Sequence, residues 1–372
     1  MTDNQRNTVI SICKGLAIIL MVIGHAEAPE LVTNFIYTFH MPLFFIAAGY
    51  FFSRKYLSDP WTFVHKRLKG LYVPFVKWSL VFLLLHNLFF FFGILNEQYG
   101  NWTGGTTHPY TWKIFLMRLC QIFTSMSGYD EFMAGAFWFF RGLLVASVVF
   151  LILYKVLDSR TGWSPTLVVS LICLGMVGFM ALRIQVGFKI PYYPNGGWRE
   201  TWGVMFFGVG VLFRSWEYKV KQHWTLTLLY AAILCYAATQ HWSGMNNGAR
   251  MQDCLTLPLT GIVGFLLVHR LSTLIDRRDW RLRTLLVFIG DNTLYIFIFH
   301  IISFKAVSLL KIWWYGLPWE QIGCHMVIHH NHTDIFWVLY SVAGVAIPLL
   351  VLTAWRRLKT HTPRIPFLLP RA

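Results

Sequence analysis

The chain has 372 residues, of which 56% are hydrophobic and only 13% charged. Soluble domains carry roughly a quarter charged residues, so a water-soluble globule is excluded, and apolar runs of about 20 residues point to a polytopic all-α membrane protein. The formal net charge of +16 fits either a nucleic-acid binder or a membrane protein with basic cytoplasmic loops, and the position of the charges decides between them.

Ten apolar segments follow one another. The first, 9–28, holds Lys14 and His25. Eleven residues are close to three helical turns, so the two side chains share a face, about 16 Å apart along the axis. Arg6, the apolar stretch and Ala26-Glu27-Ala28 imitate a secretory signal, but Lys14 interrupts the stretch and Pro29 follows the supposed cut, so a retained helix is expected. The second segment, 32–53, carries His40 and Pro42, and the proline should kink it beside a polar side chain. In "SRKYLSDPWTFVHKRLKGLY", Trp61, Val64 and Leu68 recur at helical spacing among His65, Lys66, Arg67 and Lys69. This reads as a short interfacial helix, either a headgroup anchor or a site for an anionic cytosolic ligand.

The remaining segments are 72–93, 137–156 with Arg141 inside it, 164–182, 201–213, 224–241, 254–269, 285–304 and 334–354. The ninth places Asp291-Asn292 ahead of a helix bearing His300. No internal repeat or soluble insertion interrupts residues 1–372, so one membrane domain is expected. With the N-terminus inside, 21 of the 32 Lys and Arg fall on the inner segments and eight on the outer ones. Both termini are therefore expected in the cytoplasm, and the basic excess is a topology signal with no nucleic-acid partner behind it. The six cysteines lack metal-binding spacing, and the outer "HMVIHHNH" reads as a solvated loop, so no metal is expected. The aromatic outer stretches "NWTGGTTHPYTW", "PYYPNGGWRE" and "KIWWYGLPW" suit either stacking on sugar rings or an interfacial belt.

Ionisable groups inside a membrane are costly and rarely face lipid, so His25, His40, His300 and Arg141 should line a protein interior or a wet cavity. The stretches that carry them, "KGLAIILMVIGHAEA" (14–28), "FIYTFHMPLFFIAAGYFF" (35–52), "FWFFRGLL" (137–144) and "FIGDNTLYIFIFHI" (288–301), resemble the membrane acyltransferase-3 family and, within it, the fucose 4-O-acetylase-like branch. The resemblance implies transfer of an acyl group, usually acetyl, from a cytosolic thioester to a hydroxyl of an extracytoplasmic or lipid-linked glycan in the bacterial inner membrane. It implies no bound cofactor, with acetyl-CoA as co-substrate. The family's basic residue and histidine of the first helix fall on Lys14 and His25, the histidine being the catalytic one, and its pair of basic residues after the second helix falls on Arg67 and Lys69 in "HKRLKG".

The chemistry of the residues agrees. An alcohol attacking a thioester needs a base near neutrality, which His25 supplies, or His25 takes the acyl group itself. Lys14, Arg67 and Lys69 would hold the donor's phosphates, and His40 and His300 would stand near the reaction. Arg141 would face a developing oxyanion or the acceptor, or instead make an ion pair between helices. Glu27, Glu30, Asp130 and Glu131 are the carboxylates that could orient His25. The competing readings are a transporter or flippase, which paired broken helices in inverted repeats would support, and a glycolipid-binding assembly protein.

Overall fold

The computed structural model describes residues 7–100, 107–191, 193–220, 223–246, 249–329 and 334–361. Among them every regular element is helical. α1 (Thr8–His25), α2 (Glu30–Tyr37) and α3 (His40–Tyr50) lead to α4 (Pro60–Arg67) and α5 (Val73–Phe91). α6 (Glu97–Gly100), α7 (Trp112–Ser125) and α8 (Glu131–Ala134) precede α9 (Trp138–Thr161) and α10 (Pro165–Gln185). α11 (Trp198–Trp216), α12 (Trp224–Thr239), α13 (Asp253–Asp276), α14 (Arg281–Asp291), α15 (Thr293–Tyr315) and α16 (Phe336–His361) complete the bundle. Among the described residues eight helical stretches are long and apolar enough to cross a membrane, so the chain is a multi-pass membrane protein. The sixth and seventh expected segments are α11 and α12, which fall outside those eight. α11 carries Arg199, Glu200 and Arg214, and α12 has only 16 residues.

Two local departures from the expected pattern have backbone causes. α4 is continuous with α5 through a π turn over Leu68–Tyr72, in place of a separate interfacial helix. The Val73 amide donates five residues back to the Leu68 carbonyl, and the widened turn accommodates Pro74, which has no N–H for Gly70. The second expected span is broken into α2 and α3 at Thr38-Phe39. Pro42 gives no hydrogen to the Thr38 carbonyl, and the Thr260 hydroxyl on α13 lies 3.1 Å from it, its one hydrogen shared with the Thr256 carbonyl of its own helix at 3.0 Å.

Glycines set the tightest helix contacts. A Cβ on Gly290 of α14 would collide with the Ser11 carbonyl of α1, and one on Gly15 with the Leu286 carbonyl. Such close approach of backbones is how membrane helices gain van der Waals contact where lipid offers no hydrophobic drive. At one end of the bundle the start of α1 meets the end of α16 around the α14–α15 junction: Ser11 donates to Asp291 at 3.1 Å and Arg356 to Asn292 at 2.9 Å. The tips of α3 and α13 join there, with Tyr50 donating to Glu217 at 2.6 Å and Thr8 to Asp276 at 3.0 Å. The end of α1, the α2–α3 break and the middle of α15 lie towards the opposite end, where the Tyr37 hydroxyl donates to the Gly24 carbonyl at 2.7 Å.

Candidate active site

His25 is the last residue of α1, and α15 presents His300 to it from two turns inside its own length. His25 Nδ1 lies 2.9 Å from His300 Nε2, with the rings stacked 5.1 Å apart. His300 Nδ1 faces two backbone carbonyls, Phe297 at 3.0 Å and Ile296 at 3.2 Å. Carbonyls only accept, so Nδ1 of His300 carries the hydrogen. The His300 ring is fully buried with no carboxylate among its described contacts, so it is held neutral and its Nε2 is a lone pair. The hydrogen between the rings therefore belongs to His25 Nδ1, which leaves His25 Nε2 as a free base.

His40 is the first residue of α3 and is buried against the same region, its Nδ1 donating to the Ile36 carbonyl at 2.9 Å and its ring 5.2 Å from Tyr37. It lies within electrostatic reach of His25, as does His325. Among the described residues no contact joins His25 to Glu27, Glu30, Asp130 or Glu131, and its hydrogen-bond partner is His300. Glu27 pairs with His329, Glu30 lies 3.5 Å from His241, and Asp130 is 2.7 Å from His86 while capping α8.

His25 opens on a cavity of ≈ 560 Å³, lined also by Glu27, Glu30, Thr33, Asn34, Tyr37 and the loop His325–His329. That loop follows α15, whose length sequence reasoning underestimated. The expected ninth segment, 285–304, leaves Lys305 and Lys311 outside it, yet both are buried inside α15. Lys305 Nζ donates to the carbonyls of Ile322 at 2.7 Å and Cys324 at 2.6 Å. Lys311 Nζ donates to Ile328 at 2.9 Å and pairs with Asp334 at 2.8 Å. The helical spacing of His300, Phe304, Val307, Ser308 and Lys311, all buried, was the sequence signal that α15 continues. Burial, with help from the Lys305 ammonium, pushes the His325 imidazole down to about 4, so it is neutral near pH 7.

Arg141 is buried on α9 with its described contacts elsewhere. It donates to Glu200 at 3.3 Å and to the Met126 carbonyl at 3.3 Å, and lies over the Tyr193 ring. The ion pair between helices is therefore what this arginine makes.

A family model described as an acyltransferase domain matches residues 7–353. The chain belongs to the acyltransferase-3 family. No curated protein matches it. No solved structure does either. Lys14, Arg67 and Lys69, the residues expected to bind the donor, lie away from the histidine pair. Lys14 is half-buried on α1, with no helix break between it and His25. Arg67 ends α4, stacks on Phe63 and Phe207 at 4.9 and 5.4 Å and donates to the Ala48 carbonyl at 3.4 Å. Lys69 is exposed in the π turn. His330 and His332 lie outside the described residues, and within those residues no cluster of metal ligands forms.

Proposed function

We propose that this acyltransferase is an O-acetyltransferase of the fucose 4-O-acetylase-like branch, working in the bacterial inner membrane with both termini in the cytoplasm. It takes the acetyl group from cytosolic acetyl-CoA and places it on a hydroxyl of an extracytoplasmic or lipid-linked glycan. The observation that carries the reading is the histidine pair: His25 Nδ1 is engaged by His300, and the other nitrogen is left basic beside a cavity.

In this reading a glycan hydroxyl enters among Glu30, Thr33 and Asn34, polar groups suited to sugar hydroxyls, and hydrogen-bonds to His25 Nε2. His25 removes the proton as the oxygen attacks the thioester carbonyl. The tetrahedral intermediate collapses by breaking the C–S bond. The leaving thiolate takes the proton back from His25, which yields the ester and free CoA. His300, fixed by two carbonyls, keeps the His25 ring oriented while it is an imidazolium. Lys14, Arg67 and Lys69 hold the donor phosphates at the other end of the bundle, and the pantetheine arm covers the distance of about 16 Å along α1.

Membranes containing the wild type, supplied with radiolabelled acetyl-CoA and the host's extracted glycolipid, are expected to deposit label in a base-labile ester. His25→Ala should deposit none, and Lys14→Ala should need more acetyl-CoA for the same rate. Equal label from all three folded proteins would remove His25 from the chemistry and return the flippase reading.

A further inference from the structure

The cavity beside His25 contains a second imidazole with a distinctive setting. His325 lines it together with His25, and each ring lies within electrostatic reach of the other. Its Nδ1 is sealed from solvent and has no hydrogen-bond partner among the described residues. The ring edge packs on Phe132, with centroids 4.6 Å apart. Two buried ammonium groups fix the loop that carries it, at the carbonyls of Ile322, Cys324 and Ile328. Burying a lysine is expensive, and three carbonyls with Asp334 compensate it only if the loop keeps one conformation. The loop is therefore held rigid, and with Nδ1 sealed the nitrogen it presents to the cavity is Nε2, which has no partner among the described residues. A polar atom held in place at a cavity wall and left without a partner is the arrangement that stabilises charge appearing only during reaction.

We propose that His325 is a second catalytic residue, a hydrogen-bond donor to the oxyanion of the tetrahedral intermediate, with Lys305 as its positioning residue. The assignment rests on the acyltransfer reading above. When the acceptor oxygen bonds to the thioester carbon, the carbonyl π pair moves onto oxygen, and the His325 Nε2–H donates to it. When the C–S bond breaks, that pair re-forms the carbonyl and the thiolate recovers the proton held by His25. His325 itself ends unchanged. Lys305 keeps it neutral through its charge and in place through Ile322 and Cys324, the carbonyls on either side of Gly323. The role that sequence alone offered to Arg141 passes to His325, because Arg141 is occupied by Glu200 and Met126.

The test uses full-length protein in lipid, with acetyl-CoA and the glycolipid that the wild type acylates. His325→Ala should lower kcat by about 10²–10³-fold with the acceptor KM unchanged. His325→Gln, which keeps an N–H donor, should retain part of the rate and guards against a packing defect in the alanine variant. Lys305→Met should lower kcat by less than His325→Ala, again at constant KM, and Lys305→Arg should restore it. Wild-type kcat in His325→Ala, or a loss confined to KM, would overturn the assignment. Failure of the underlying reading looks different: wild type and His25→Ala would then transfer equally.

Discussion

The chemistry of His25 is decided by what stands on its other nitrogen. A neutral partner that can only accept forces the hydrogen onto Nδ1 and leaves Nε2 basic, the task a carboxylate performs in more familiar triads. The helical spacing of Lys14 and His25 made their shared face legible in the sequence, but His300 is 275 residues away and only the packing of α15 on α1 joins them. Nor could the sequence reveal that Glu27, two residues from His25, is occupied by His329. His325 carries a stability signature of its own. Its folded value of about 4 lies below the ordinary 6.5, so the unfolded chain binds the proton first. Its contribution is complete above pH 6.5 and is lost as pH falls from there towards 4. The melting temperature of purified protein should drop over that interval, and His325→Gln should flatten part of the slope; identical slopes would show that His325 is not buried neutral.

At the scale of elements, the apolar segments were readable because length and hydropathy leave few alternatives in lipid. Their ends were not. Pro42 announced a break, but at Thr38-Phe39 the freed carbonyl meets the hydroxyl of Thr260, a residue of another helix. Thr260→Val removes that hydrogen and should cost about 1 kcal/mol, measurable as a lower midpoint of thermal unfolding in detergent. α15 was cut short at its lysines because a lysine in an apolar run reads as an end, unless a returning loop offers carbonyls to it. The α1–α14 contact was invisible for another reason: glycine spacing does not name its partner. Gly290→Leu drives a side chain into the Ser11 backbone and should destabilise by about 1–3 kcal/mol. A variant as stable as wild type would mean that the two helices are not in contact.

For the whole molecule, Lys14 and Arg67 lie towards the end of the bundle where α1 begins, and the histidine cavity lies towards the other. In the proposed orientation the basic loops turn the first end to the cytoplasm, and the proposed thioester supply and glycan acceptor would then lie on opposite sides of one active site. With the exposed Cys120 and Cys235 replaced by serine, a membrane-impermeant maleimide applied to intact spheroplasts should label Asn34→Cys and spare Lys359→Cys; the reverse pattern would invert the orientation. The central claim is that His25 is a base made by His300, and a His300 series tests it most directly. Single-turnover acetyl transfer should fall by about 10²-fold or more in His300→Leu, which removes the acceptor. It should fall much less in His300→Gln, whose amide oxygen can still accept from His25 Nδ1. Equal rates in wild type and His300→Leu, both folded and binding acetyl-CoA, would contradict the account.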